Sequence, residues 1–244
     1  MKYLFLIFVL YINTKLTNHI KILFIFLFII TLFFPSCKRE TISPVDVGYD
    51  YYPSNVGHWV TYEVDSTYYD DFTHTVKAYK FKVTEKIESS FLDNQNRKTE
   101  RLERYRQWAD STSWFLKDVW ISNLTSSSAE KVEENIRYLK LVFPIKKGIS
   151  WNGNAFNSFN PTDYKYENIF KPYTVNGISY DSTITVIQEI DSNLIYVKYM
   201  VEVYAKRVGL IYKKYKDIEK YPDPTIDSTI SGVDVTYKVI SFGN

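Results

Sequence analysis

Cysteine, histidine and glycine are scarce in this chain of 244 residues, and each scarcity excludes a class of protein. A single cysteine excludes a disulfide-stabilised scaffold. Three histidines are too few for a zinc or iron site, so we expect no metal and no cofactor. They also provide no suitable base for a Ser-His or Cys-His nucleophile. The glycine-rich loops that hold nucleotide phosphates are missing as well.

The charge balance excludes a generally basic surface of the kind that binds nucleic acid. Residues 1–36 hold three lysines and no acidic residue, so 27 of the 30 basic residues and all 28 acidic residues lie beyond position 36. The net charge of that part is about −1. We therefore expect no nucleic-acid partner.

One apolar run near the N-terminus ends close to the only cysteine. Ile22 to Phe34 are 13 residues without a charge, fewer than the roughly 20 that a membrane-spanning helix needs. The run has the length of a signal-peptide core, with Lys21 before it and the small residue Ser36 after it. Phe34-Pro35-Ser36-Cys37 resembles a lipobox, although leucine is more usual at the position of Phe34. We therefore predict lipidation of Cys37.

These features divide the chain into three parts. Residues 1–36 are predicted to be a lipoprotein signal peptide, residues 37–50 the lipidated cysteine and a polar tether, and residues 51–244 one β-rich domain. A second apolar run at residues 3–12 indicates either a long leader or a true start further downstream. The predicted location is the outer membrane, on its periplasmic face or at the cell surface, with the membrane contacted through the lipid on Cys37.

Alternation of apolar and polar residues predicts strands through most of the chain beyond residue 50. Val60, Tyr62 and Val64 alternate with polar neighbours, and residues 79–87 follow a similar pattern. Asn176-Gly177 suits a type I′ turn, and we predict a further hairpin at Ser231-Gly232. The predicted fold is all-β and mostly antiparallel: a curled sheet, half-barrel or barrel of about ten strands, with at most one or two short helices.

Residues 126–136 are the segment for which we predict a helix. Ser127 and Glu130 fit a capping box, and Val132 and Ile136 have helical spacing.

A short sequence motif that occurs twice favours a sheet with two similar halves. An aromatic residue and a proline precede a glycine and a tryptophan twice, at Tyr52-Pro53, Gly57 and Trp59 and at Phe143-Pro144, Gly148 and Trp151. Proline would end one extended segment, and glycine would turn the chain into the next strand.

A basic stretch at residues 97–106 offers a candidate binding surface. It holds five arginines and lysines near Tyr105 and Trp108, and such a mixture can bind nucleic acid or glycans. Glu100 and Glu103 lie among them, so cross-strand ion pairs on a solvated sheet face are the simpler interpretation.

Acidic residues could supply a hydrolytic pair. Asp70-Asp71, Asp110 and Glu133-Glu134 are available, and a glycosidase needs only two carboxylates. Surface charge is the simpler interpretation, and we expect neither catalytic residues nor enzymatic activity.

The triplet Asp-Ser-Thr occurs four times and contains Ser66, Ser111, Ser182 and Ser228. It is similar to the sequon for O-glycosylation of exported proteins in Bacteroidetes-type bacteria, which makes these serines candidate glycosylation sites. The alternative is that such triplets begin or end strands, where their side chains bond free backbone groups.

Three stretches resemble an uncharacterised family of Bacteroidetes lipoproteins: residues 51–64, residues 140–157 and residues 204–212. The resemblance implies an exported lipoprotein with a β-rich domain and no assigned activity. Residues 209–212, Gly-Leu-Ile-Tyr, also look like segments in the open half-barrels of lipoprotein carriers.

The function expected from these features is a non-enzymatic binding or structural role at the cell envelope. One alternative is a half-barrel that carries an acyl or other apolar ligand or a lipoprotein, which would need a large apolar cavity. Another is a surface glycan-binding lipoprotein, which would present exposed, coplanar aromatic rings.

Overall fold

The computed structural model describes residues 18–20, 22–23, 26, 46–223 and 229–244. The chain divides into two units, Met1–Val45 and Asp46–Asn244. The six described residues of the first unit are helical. Within the described ranges, no helix combines the length and the apolar character that a membrane crossing requires. The predicted lipidation site Cys37 lies outside the described residues.

Twelve strands contain about two thirds of the described residues of the second unit. After a single 3-10 turn at Tyr49–Tyr51, the strands are β1 (Trp59–Asp70), β2 (Thr75–Leu92), β3 (Lys98–Trp108), β4 (Phe115–Leu124), β5 (Ser128–Glu133), β6 (Ile136–Val142), β7 (Ser150–Asn152), β8 (Asp163–Val175), β9 (Ile178–Ser192), β10 (Tyr196–Ala205), β11 (Gly209–Lys220) and β12 (Thr229–Gly243).

The strands form one antiparallel sheet in the order β6-β5-β4-β3-β2-β1-β12-β11-β10-β9-β8-β7. The sheet therefore consists of two meanders of six strands, β1 to β6 and β7 to β12, joined where β1 pairs with β12. It curls into a nearly closed barrel, which confirms the predicted all-β, antiparallel fold. Trp59 is the first residue of β1 and Trp151 the second residue of β7, the strands that open the two meanders.

Side chains and isolated backbone bonds bridge the gap between the two edge strands, β6 and β7. Leu139 N–H donates to the Gly153 carbonyl oxygen at 2.9 Å, and Trp151 Nε1 donates to the Leu139 carbonyl oxygen at 2.9 Å. Tyr166 Oη donates to the Val142 carbonyl oxygen at 2.7 Å and accepts from Val142 N–H at 3.0 Å. The polar backbone of the β6 edge is thus partly satisfied without a continuous ladder, as buried backbone groups require.

The segment before β1 packs against the barrel as part of the same unit. Tyr51 and Tyr52 are buried in an apolar cluster that also contains Leu141 and Trp151. Ile145 N–H donates to the Val47 carbonyl oxygen at 3.2 Å. Residues 46–50, assigned to the tether from the sequence, therefore contact the domain.

The helix predicted at residues 126–136 is wrong. Residues 128–133 form β5, and the chain then turns into β6. Glu134 and Asn135 have φ angles of 50° and 66°, the left-handed values that a two-residue type I′ turn needs. Four consecutive residues from Ser128 to Lys131 are buried, so tertiary packing overrides the helical spacing.

The hairpin predicted at Ser231-Gly232 is also wrong, whereas the one at Asn176-Gly177 is confirmed. Asn176 and Gly177 have φ angles of 50° and 75° between β8 and β9. Gly232 lies inside β12, and a Cβ there would be 2.2 Å from the Asp217 carbonyl oxygen. Glycine at this position serves a close approach of two backbones and not a turn.

Candidate functional site

A cavity of about 90 Å³ lies inside the curled sheet. Part of its wall is apolar, from Val60, Ile87, Leu102 and Leu210. Seven charged side chains also line it: Glu85, Arg104, Lys131, Glu133, Lys140, Glu202 and Lys213. Charged groups are costly to remove from water, so this set is the most unusual feature of the barrel interior.

The first part of the charged set is aligned by strand pairing. Glu85 on β2 is directly opposite Arg104 on β3, and Arg104 is directly opposite Asp118 on β4. Directly opposed residues of antiparallel strands point to the same face, so the three side chains meet. Arg104 Nε donates to Glu85 Oε1 at 2.9 Å, and Arg104 Nη1 donates to Asp118 Oδ2 at 2.8 Å.

Lys131 and Trp120 complete this part. Lys131 Nζ donates to the second oxygen of Glu85, Oε2, at 2.7 Å. The Arg104 guanidinium lies 3.5 Å from the centre of the Trp120 ring, a close cation–π contact. Trp120 Nε1 is buried and has no hydrogen-bond partner among the described residues. The indole therefore keeps an unused donor in the wall of the cavity.

The second part joins strands from the two meanders. Lys140 on β6 donates from Nζ to Glu202 Oε1 on β10 at 2.6 Å. Glu202 Oε2 accepts a hydrogen bond from Tyr204 Oη at 2.6 Å. Lys213 Nζ on β11 lies 3.4 Å from Glu202 Oε1 and 3.8 Å from Glu133 Oε2 on β5. These contacts cross the barrel interior, because β5 and β6 are not neighbours of β10 and β11 in the sheet.

The carboxylates of the cavity stay ionised in spite of their burial. Burial alone would raise the pKa of Glu133, but Lys140, Lys213, Lys131 and Arg104 together hold that pKa far below its usual value. Burial would likewise raise the pKa of Glu202, and Lys140 and Lys213 lower it. Burial would lower the pKa of Lys140, whereas Glu133 and Glu202 raise it well above its usual value. The set is therefore a network of mutually stabilised ions.

The prediction that residues 97–106 form a solvated face is wrong for the inward half of β3. Arg104 is 3 % exposed and Glu100 is 1 % exposed, although the expected cross-strand ion pairs are present. Arg101 and Glu103, on the alternate positions, are half-buried and pair with each other. Burial raises the pKa of Glu100, opposed by Lys98.

Sequence reasoning missed the cavity, although one signal for it exists. In residues 79–87 the apolar positions are 79, 81, 83 and 87, and the break at position 85 is Glu85. A charge at an inward-facing position of an otherwise alternating strand indicates a polar interior. Lys131 and Glu133 gave no signal, because they lay in the segment predicted as a helix.

The predicted modification sites are not brought together. Ser66 lies in the middle of β1, paired on both sides. Ser111 is exposed between β3 and β4 and accepts from Ser113 N–H at 3.1 Å. Ser182 Oγ is hydrogen-bonded to Tyr51 Oη at 2.6 Å. Ser228, like Cys37, lies outside the described residues.

His58 lies in the cavity wall, and both nitrogens of its ring contact oxygen atoms of the protein. His58 Nδ1 lies 2.7 Å from Asn244 Oδ1, and His58 Nε2 lies 3.0 Å from the Val208 carbonyl oxygen. Both ring nitrogens are thus engaged near the start of β1. In the described parts of the chain no three histidine, cysteine or acidic side chains are grouped so that they could hold a metal ion.

Comparisons with known proteins do not assign this chain to a family. No protein-family model matches the chain, and no curated protein matches it. Among solved structures, a crystal structure of a "putative lipoprotein" from Parabacteroides distasonis is similar with a TM-score of 0.35 and 8 % identity, over 79 % of this chain and 98 % of that one. A TM-score at this level does not establish a common fold, so no property is transferred from that protein.

Proposed function

We propose that this protein is a lipid-anchored component of the cell envelope that acts by binding, without catalysis, and that the barrel cavity is its ligand site. The observation that carries the proposal is the set of seven charged side chains around the cavity. Each buried ion costs several kcal/mol of desolvation, and an apolar barrel core would need none of them. Perturbed ionisable groups that converge on a cavity mark candidate binding sites.

The anchor rests on the sequence. The signal-peptide pattern, the lipobox-like Phe34-Pro35-Ser36-Cys37 and the single cysteine all support lipidation of Cys37. The folded unit begins at Asp46, so eight residues separate it from Cys37, and the nine Cα–Cα steps from Cys37 to Asp46 span at most roughly 30 Å. We place the protein at the outer membrane, on its periplasmic face or at the cell surface.

The direction of the pKa shifts argues against a general acid among the cavity carboxylates Glu85, Glu133 and Glu202. A general acid needs a pKa raised towards neutrality. Burial would raise the pKa values of Glu85, Glu133 and Glu202, yet the neighbouring cations lower all three. These carboxylates are suited to accept hydrogen bonds and poorly suited to donate a proton at neutral pH.

The geometry favours a small polar ligand over the acyl chain of a carrier. Drug-sized ligands occupy pockets of about 300–1,000 Å³ with mostly apolar walls. This cavity is about 90 Å³, which is below that range, and an acyl chain in it would leave the side chains of Glu133 and Lys213 without hydrogen-bonding partners.

A glycan-binding surface is supported less well. The exposed ring of Tyr79 lies against Trp108 at an interplanar angle of 53°, and Phe81 meets Trp108 at 66°. A flat platform for a sugar chain would need nearly parallel rings.

Two measurements test the proposal. Labelling with a palmitate analogue should be strong in the wild type and lost in Cys37→Ala, and equal labelling would refute the anchor. For the cavity, metabolite-sized polar compounds should be titrated while the indole N–H signals are followed by NMR. At least one compound should shift the Trp120 signal saturably and leave Trp114, which is exposed and does not line the cavity, unchanged. If no compound shifts Trp120, the binding role is refuted.

A further inference from the structure

Two of the seven charged groups have unused hydrogen-bonding capacity. Glu133 and Lys213 take part in ion pairs with N–O distances of 3.4 to 3.8 Å, but neither side chain makes a hydrogen bond within the described part of the chain. A carboxylate can accept about four hydrogen bonds and an ammonium group can donate three. Their side chains are 15 % and 22 % exposed, against 5 % for Lys140 and 1 % for Glu202. They are therefore the accessible donor and acceptor of the network.

The electrostatic surroundings disfavour a charged ligand at this pair. An anion that bound to Lys213 would lie close to both Glu133 and Glu202, which are within 3.8 Å of the ammonium nitrogen. A cation that bound to Glu133 would meet the four cations that lower the pKa of this carboxyl against the effect of its burial. Four cations and three carboxylates line the cavity, and each of the four cations is already paired with one of these carboxylates. The cavity therefore offers no unpaired charge to an ion.

A ligand that satisfies both groups must present a donor and an acceptor side by side. Neighbouring hydroxyl groups do this, because each hydroxyl can donate one hydrogen bond and accept others. One hydroxyl would donate to Glu133 and its neighbour would accept from Lys213, 3.8 Å away. The apolar wall at Val60, Ile87 and Leu102 would contact the carbon skeleton.

The size of the cavity sets the size of the ligand. A volume of about 90 Å³ has room for roughly six to nine water molecules, at 10–15 Å³ each. Glycerol, with six oxygen and carbon atoms, matches that number, whereas a pentitol or a monosaccharide, with ten to twelve, would extend past Lys213, whose side chain is 22 % exposed. We propose that the ligand is a small neutral polyhydroxy compound, a polyol or a monosaccharide, that bridges Glu133 and Lys213. This inference rests on the proposed function, since it names the ligand class of the same cavity.

The test is a titration of the folded protein with four kinds of probe at constant ionic strength. Neutral polyols and sugars (glycerol, xylitol, ribose, glucose) are compared with acetate and phosphate, with putrescine and with oleate, by calorimetry and by the Trp120 indole signal. We expect saturable binding of at least one neutral polyol or sugar to the wild type. Glu133→Gln and Lys213→Met should each weaken that binding at least tenfold.

Lys214→Met is the matched control. Lys214 follows Lys213 on β11 and, by the alternation of a strand, points to the opposite face, where it pairs with Asp234. The affinity of the Lys214→Met variant for the polyol should equal that of the wild type. Circular dichroism and the urea midpoint identify any variant that is not folded, and Glu133→Gln, which keeps the shape of the side chain, then carries the test.

The outcomes separate the two proposals. Binding of acetate, phosphate, putrescine or oleate at Trp120, with no binding of neutral polyols, overturns the inference and leaves the binding function standing. Polyol binding that is unchanged in both Glu133→Gln and Lys213→Met places the ligand elsewhere and also overturns the inference. If no probe of any kind binds, the cavity is a structural ion network, and both proposals fail.

Discussion

Lys140 on β6 and Glu202 on β10 form a buried ion pair across the barrel, with Lys140 Nζ 2.6 Å from Glu202 Oε1. Their side chains are 5 % and 1 % exposed. The two strands belong to different meanders and are not paired in the sheet. The contact therefore ties the two halves of the sheet together on the side where the ladder is incomplete.

Removing one partner of this pair should be strongly destabilising. Lys140→Met leaves the buried Glu202 with the longer contact to Lys213 and the hydrogen bond from Tyr204, and we expect a loss of about 3–5 kcal/mol in the free energy of unfolding. The double variant Lys140→Met/Glu202→Gln should lose clearly less than the sum of the two single variants. Urea unfolding of all four proteins measures the coupling. Simple additivity would contradict the pairing.

Stability should fall in acid because of Glu133. Burial opposes ionisation, but the surrounding cations lower its folded pKa below the ordinary 4.5, so the carboxylate stabilises the fold above about pH 4.5. That contribution is lost as the pH falls through the folded pKa, with a slope of up to about 1.4 kcal/mol per pH unit for each such group. Glu133→Gln should show a shallower decline below pH 4.5 in urea unfolding. The exposed Glu167→Gln serves as control and should keep the wild-type slope.

The hydroxyl of Tyr166 should matter because it satisfies both polar backbone groups of Val142. Tyr166→Phe leaves these groups without that partner at the β6 edge, and we expect a loss of about 1–3 kcal/mol. Hydrogen exchange at the Val142 amide should accelerate. Tyr180→Phe is the comparison, since its hydroxyl is buried and has no partner in the described residues. That variant should be neutral or slightly stabilised, and a loss equal to that of Tyr166→Phe would contradict the assignment.

Gly48 should tolerate no side chain. Its φ angle is 95°, and a Cβ there would lie 2.4 Å from Ile145 Cδ1. Gly48→Ala therefore combines backbone strain with a clash, and we expect a loss of about 2–3 kcal/mol by thermal or urea unfolding. Gly148→Ala has a similar φ of 79° but nothing within 4 Å, so it should lose only about 1 kcal/mol. Equal losses would mean that Ile145 moves aside at no cost.

The fold class was accessible from the sequence because it depends on local patterns. Val60, Tyr62 and Val64 alternate with polar residues and are buried in β1 as predicted. Asn176-Gly177 forms its turn because few other residue pairs adopt left-handed angles so readily. Local patterns failed where a residue is determined by a contact with a distant strand. Gly232 was interpreted as a turn residue, but it is glycine because the backbone of Asp217 on β11 lies too close for a side chain.

The sequence by itself determined the antiparallel sheet, and it is the basis for predicting a signal peptide and a lipid on Cys37. Hydrophobic period, turn chemistry and the length of an apolar run are all properties of neighbouring residues. Only the tertiary structure decided that Glu85, Arg104, Lys131, Glu133, Lys140, Glu202 and Lys213 line one cavity. Charged residues are expected at the surface. They can be buried here because oppositely charged partners from five or more strands lie close enough to offset the lost hydration. That convergence depends on how the sheet curls, which no local pattern encodes.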